Sequence, residues 1–110
     1  MDIRQLSDEM HRFVAAKGWY EADSPRPQTP RNIATSLAIE AAEVLEHFQW
    51  GENAADMDDL ASELADVALY LLQIASIAGI DLEEAVHNKL KINYQRTWDE
   101  GLKTDPEEKN

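Results

Sequence analysis

From Asp56 to Ala78 the chain keeps apolar residues at three- and four-residue steps, Met57, Leu60, Leu64, Val67, Leu71, Ile74 and Ala78, with Gly79 as the stop. That spacing is one face of an α-helix and fits no half-buried strand. Beyond Ala68 the pattern widens, because Leu69 and Leu72 add apolar surface off the main stripe. Such a helix is expected to be covered on more than one side, which the other elements of the chain or a second copy must supply.

The rest of the chain meets that demand. Ile3, Leu6, Met10, Phe13 and Val14 predict a first helix from Asp2 to about Lys17, ended by Gly18. Three prolines and two aromatics between Gly18 and Pro30 predict an ordered, irregular loop that covers something. Thr29 followed by Pro30 is an N-cap and first-turn pair, opening a second helix that is expected to run to about Trp50, with Gly51 closing it. Asp81 with Glu84 three positions on resembles a capping box and starts a fourth helix through about Trp98. No strand-like alternation and no internal repeat is visible. The expected fold is all-α, a four-helix antiparallel bundle that assembles as a dimer or dimer of dimers through its apolar faces, with residues 1–100 as one domain and 101–110 as a polar, flexible tail.

Composition narrows the function. A net charge of -12 over 110 residues argues against sequence-independent nucleic-acid binding, which depends on Lys and Arg neutralising phosphates. The absence of cysteine removes disulfides and thiolate metal sites and fits a reducing cytoplasm. No apolar run suggests a membrane span and the first residues lack the character of a secretory leader, so a cytoplasmic protein without a membrane partner is expected.

Within these helices several acids are out of place. Glu40 and Glu43 on the second helix, and Glu63 and Asp66 on the third, are spaced by three, so each pair shares a side of its helix. On a helical wheel both pairs sit at the margin of the apolar stripe. Boundary ion pairs of little energetic weight are the competing account. The fourth helix speaks against it, since Lys89, Asn93 and Arg96 project into nearly the sector of Leu82, Val86 and Leu90. A cation among buried apolar groups is costly unless paired, so a polar cavity faced by the carboxylates is the simpler reading. Four carboxylates without cysteine form an oxygen-only donor set suited to Mg²⁺, with Mn²⁺ able to substitute. Lys89 then offers charge to a phosphate and Asn93 an amide. Trp19, Trp50 and Tyr70 are candidate flat surfaces for a base or sugar, with ordinary packing as the alternative. Asp8 with His11 and Glu84 with His87 have the acid-x-x-His spacing of di-iron bundles, but His11 and His87 turn away from their helices' apolar faces.

Taken together, Glu40-Ala41-Ala42-Glu43 followed by Glu63-Leu64-Ala65-Asp66, with Phe13 to Trp19, Pro30-Arg31-Asn32, Phe48-Gln49-Trp50 and Lys89-x-x-x-Asn93, resemble the MazG-like all-α nucleotide pyrophosphohydrolases over about residues 3 to 95. The likeness is greatest to the dCTP pyrophosphatase branch. The resemblance implies Mg²⁺ bound by Glu40, Glu43, Glu63 and Asp66, and Mg²⁺-dependent hydrolysis of a nucleoside triphosphate, dCTP first, to the monophosphate and pyrophosphate. Glu40 or Glu43 is the expected base. Trp19 and Trp50 would border the nucleobase, Tyr70 and Asn93 the sugar or phosphates, and Lys89 the phosphates, in sites built between subunits of a homodimer or homotetramer. Two departures stand out: Ile39, not a second acid, precedes Glu40, and Met10 occupies a first-helix position where dCTP-type enzymes carry His, with His11 beside it. Glu46 is expected at the surface, and His47 receives no role. A non-catalytic helical oligomer that binds a nucleotide or protein partner is the alternative.

Overall fold

A computed structural model describes residues 1–96. Four helices account for their regular structure: α1 (Ile3–Ala16), α2 (Pro30–Glu46), α3 (Met57–Ile77) and α4 (Leu82–Gln95). Each start follows from local chemistry. The Asp2 side chain accepts from Gln5 N while Gln5 returns a bond to Asp2 N, a reciprocal cap on α1. Thr29 caps α2 ahead of Pro30, Asp56 caps α3 and Asp81 caps α4. After α1 and α3 the chain reverses through Gly18 and Gly79 at φ of 74° and 75°, a conformation costly for a residue with a Cβ.

Residues 1–80 form one compact unit, and a second begins at Asp81. In the first, α3 packs against both α1 and α2. Gln28, just before α2, meets Gln73 late in α3, whereas His47 at the end of α2 meets Glu63 early in α3, so α2 and α3 run antiparallel. Met10 and Val14 of α1, Ile33 of α2, and Leu60, Leu72 and Ala75 of α3 are buried. α4, in the second unit, has no fully buried residue, and its Val86 and Leu90 are each 48% exposed.

Three expectations need adjustment. α2 ends at Glu46 rather than near Trp50, because Phe48 N and Gln49 N bond to the carbonyls of Leu45 and Glu46, tightening the chain into turns. On α3 the deepest face is Leu72-Gln73-Ala75, while Leu64 and Leu71 of the expected stripe stay 50% and 41% exposed. α3 is also long and apolar enough, by length and composition, to cross a bilayer, contrary to the expectation that no apolar run suggests a span. A helix that packs against two others in a bundle meets the same criterion. The end of the fourth helix expected at Trp98 and the tail 101–110 lie outside the described residues.

Candidate active site

The two acidic pairs come together. Glu40 and Glu43 lie one turn apart on α2, and a side-chain hydrogen bond between them is the largest of the influences that push the Glu40 carboxyl up to about 7; burial follows, then the negative charges of Glu43, Asp66 and Glu63. All four acids are thus within electrostatic reach of one oxygen pair. Glu40 Oε2 is buried and has no hydrogen-bond partner. A buried carboxylate oxygen without a partner, on a group that feels the charge of three other carboxylates, suits a divalent cation, which would remove both the missing partner and the repulsion. Oxygen donors alone favour Mg²⁺ or Mn²⁺ over softer metals. Among the described residues no three His, Asp or Glu side chains are gathered tightly enough to form a closed cage. Mg²⁺ tolerates this, because it keeps waters and shares substrate phosphates.

The acids stand between two clefts of the first unit. The larger, about 710 Å³, is walled by α1, the loop after it, α2 and α3, and takes in Trp19, Asp66 and Tyr70. The smaller, about 430 Å³, lies where α2 passes into α3 and is lined by Glu43, Glu63, His47 and Trp50 among others. The four acids come together electrostatically, with Asp66, Trp19 and Tyr70 in the larger cleft and Glu43, Glu63 and Trp50 in the smaller one, where Trp50 is 90% exposed. Lys89 and Asn93 lie a helical turn apart on α4, in the second unit, and Asn93 Oδ1 is buried without a hydrogen-bond partner. Glu46, expected at the surface, is exposed and borders the smaller cleft.

Several site residues escaped sequence reasoning. His47 Nε2 contacts Glu63 Oε2 and so anchors one of the four acids. The loop after α1 lays Arg26 over the Trp19 ring, 5.6 Å from its centroid, and Phe13 meets that ring edge-on. Tyr20 accepts from Gln73 Nε2 at 3.3 Å and meets His11 Nδ1 at 2.5 Å, while His11 Nε2 meets Ser76 Oγ at 2.7 Å. Burial raises the Tyr20 pKa, only partly opposed by Gln73, so the phenol keeps its proton at neutral pH. His11 thus serves this network and not a di-iron pair. The available signal was a polar Gln73 inside an apolar stretch, which sequence alone reads as a solvent flank.

Comparison with known proteins bears on what these acids do. A sequence model of the MazG-like family matches residues 35–108. Human dCTP pyrophosphatase 1 is 34% identical over 104 residues, covering 86% of this chain and 56% of that protein. A dATP/dGTP diphosphohydrolase of Salmonella phage PMBT28 is 58% identical over 81 residues, covering 74% of this chain and 24% of that protein. The chain spans about half the length of the dCTP pyrophosphatases it matches and less of the phage protein. Among solved structures, a pyrophosphatase from Archaeoglobus fulgidus superposes with a TM-score of 0.69 at 33% identity, over 86% of this chain and 90% of that one.

Proposed function

The chain belongs to the MazG-like family, and we propose that it hydrolyses deoxynucleoside triphosphates, with Mg²⁺, to the monophosphate and pyrophosphate, in nucleotide-pool housekeeping. The observation that carries this reading is Glu40, whose Oε2 is buried without a partner and whose carboxyl feels the charges of Glu43, Asp66 and Glu63. dCTP is the first candidate from sequence, and the phage relative named for dATP and dGTP adds the purine deoxynucleotides.

In this proposal Glu40, Glu43, Glu63 and Asp66 hold Mg²⁺, for which Mn²⁺ can substitute. Bound there, the ion supplies charge neutralisation at the triphosphate and a template for in-line attack. Glu40 or Glu43 accepts the proton of the attacking water, and a carboxyl whose pKa lies near neutrality is suited to that task. Water adds at phosphorus, the α–β phosphoanhydride bond breaks, and pyrophosphate departs. Trp19 and Tyr70 line the cleft that would take base and sugar. Trp50, which lines the smaller cleft, is assigned to the base edge of a site built between subunits, Lys89 to the phosphates and Asn93 to the sugar or phosphates. The fold reading extends to a four-helix antiparallel bundle that self-associates in the cytoplasm without nucleic-acid or membrane partners, and the half-exposed Leu64, Leu69 and Leu71 support the association.

The second reading, a non-catalytic helical oligomer, draws on the lack of a closed metal cage among the described residues. Incubation of the purified protein with each dNTP and Mg²⁺, with chromatographic identification of products, separates the two. Monophosphate and pyrophosphate in equal amounts are expected; no product from any nucleotide would leave the oligomer reading standing.

A further inference from the structure

Gln73 is a polar side chain at 2% exposure, placed in the wall of the larger cleft. Its Nε2 donates at 3.3 Å to Tyr20 Oη and at 2.7 Å to Gln28 Oε1, which uses both amide hydrogens. The amide orientations are fixed by their partners. Gln28 Nε2 donates at 2.6 Å to Arg26 O, a carbonyl that can only accept, so Gln28 must turn its own oxygen to Gln73. Gln73 must answer with nitrogen. Its Oε1 is left as an acceptor without a partner, and it is not among the fully covered orphan atoms, which are Glu40 Oε2 and Asn93 Oδ1. The oxygen is therefore not fully covered, and Gln73 lines the larger cleft.

Several of its neighbours in the cleft offer a base no free polar atom. Met10, Val14, Ile33 and Leu69 supply apolar wall, while Asn32 Nδ2 and Thr35 Oγ1 are tied to the backbone carbonyls of Pro27 and Arg31 at 2.9 and 2.8 Å. Asp66, Tyr70 and Gln73 stand along one side of α3, and seven residues of helix rise span about 10 Å. A nucleotide with phosphates at Asp66 would thus bring its base to Gln73.

We propose that Gln73 Oε1 reads the exocyclic amine of the base, so that the cleft takes amino-bearing nucleotides and rejects their deaminated counterparts. In the same pose, cytosine against uracil, or adenine against hypoxanthine, exchanges an N–H donor for a carbonyl oxygen that faces Oε1 acceptor to acceptor. A buried acceptor denied its donor discriminates more strongly than a change of apolar volume does. Tyr20 and Gln28 are positioning residues, because they hold the Gln73 amide nitrogen away from the base. The proposal rests on the nucleotide reading above, but its test does not require turnover.

Calorimetric binding of dCMP against dUMP, and of dAMP against dIMP, to the intact protein with Mg²⁺ present tests it, alongside kcat/KM for the matching triphosphates. Tighter binding of each amino form by about tenfold or more is expected. Gln73→Leu should bring both ratios close to one with the helical circular-dichroism signal retained. Gln28→Leu, which leaves Gln73 in place but removes the acceptor that fixes its amide, should lower the ratios without removing binding. Wild-type ratios near one, ratios unchanged in Gln73→Leu, or no nucleotide binding at all would overturn the proposal. Discrimination without turnover would overturn the hydrolase reading and keep this one; turnover of both members of each pair at equal kcat/KM would do the reverse.

Discussion

Glu40 and Glu43, one turn apart on α2, share a hydrogen bond that helps to hold the Glu40 carboxyl at about 7. A carboxyl raised above its usual range holds a proton in the folded state that the unfolded chain has already released. Its contribution to stability is fully present below the unfolded pKa and is lost as pH rises through the folded value. The melting temperature of the metal-free protein should therefore fall between about pH 5 and about pH 8 on account of this group. Mg²⁺ at the upper pH should recover part of the loss, because it binds the folded state only. Differential scanning calorimetry across that range, with chelator and with Mg²⁺, checks both signs.

Glu43→Gln removes the charge nearest Glu40 and a proposed metal ligand in one step. Loss of metal-borne transition-state stabilisation worth several kcal/mol lowers turnover about a hundredfold or more. The pH dependence of the melting temperature should flatten in part in the same variant, since the Glu43 hydrogen bond is altered and its charge is gone while burial, Asp66 and Glu63 still raise Glu40. A steady-state assay and a pH series of melts on one preparation test the pair of effects, and an active variant would refute the assignment.

His47 contacts Glu63 and fixes the orientation of a proposed ligand. Residues that orient metal ligands typically contribute about ten- to a hundredfold in metal affinity. His47→Ala should weaken Mn²⁺ binding by about tenfold while leaving the helix content unchanged. His47→Gln, which keeps a donor, should recover part of the loss in the same titration.

Ile33 is 2% exposed between the helices of the first unit, whereas Leu45, later on α2, is 70% exposed. Ile33→Ala should cost about 2–5 kcal/mol in urea unfolding. Leu45→Ala should stay within about 0.5 kcal/mol. Equal losses would contradict the placement of α2.

How much of this was legible in the sequence follows from the range of the signals. Helix limits set by local chemistry could be read from it: Pro30 after Thr29, Asp81 before α4, Gly18 and Gly79 at positive φ. The end of α2 could not, because the i to i+3 bonds that tighten residues 47–50 carry no residue signature. The acidic pairs were legible because spacing by three is a property of one helix, and antiparallel packing then brought the pairs together. The Gln28, Tyr20 and Gln73 network was not. Its members come from a proline-rich loop and from α3, 45 and 53 residues apart along the chain, and only folding brings them together.

The central claim is that α2 and α3 hold one divalent-metal site between them. Mn²⁺ binding followed by loss of the free-ion electron paramagnetic resonance signal, with a non-hydrolysable dCTP analogue present, tests it most directly on the wild type, Glu43→Gln and Asp66→Asn. Saturable binding in the wild type, weakened about tenfold or more by either substitution, is the expected result. Equal binding by all three proteins, or none by the wild type, would contradict it.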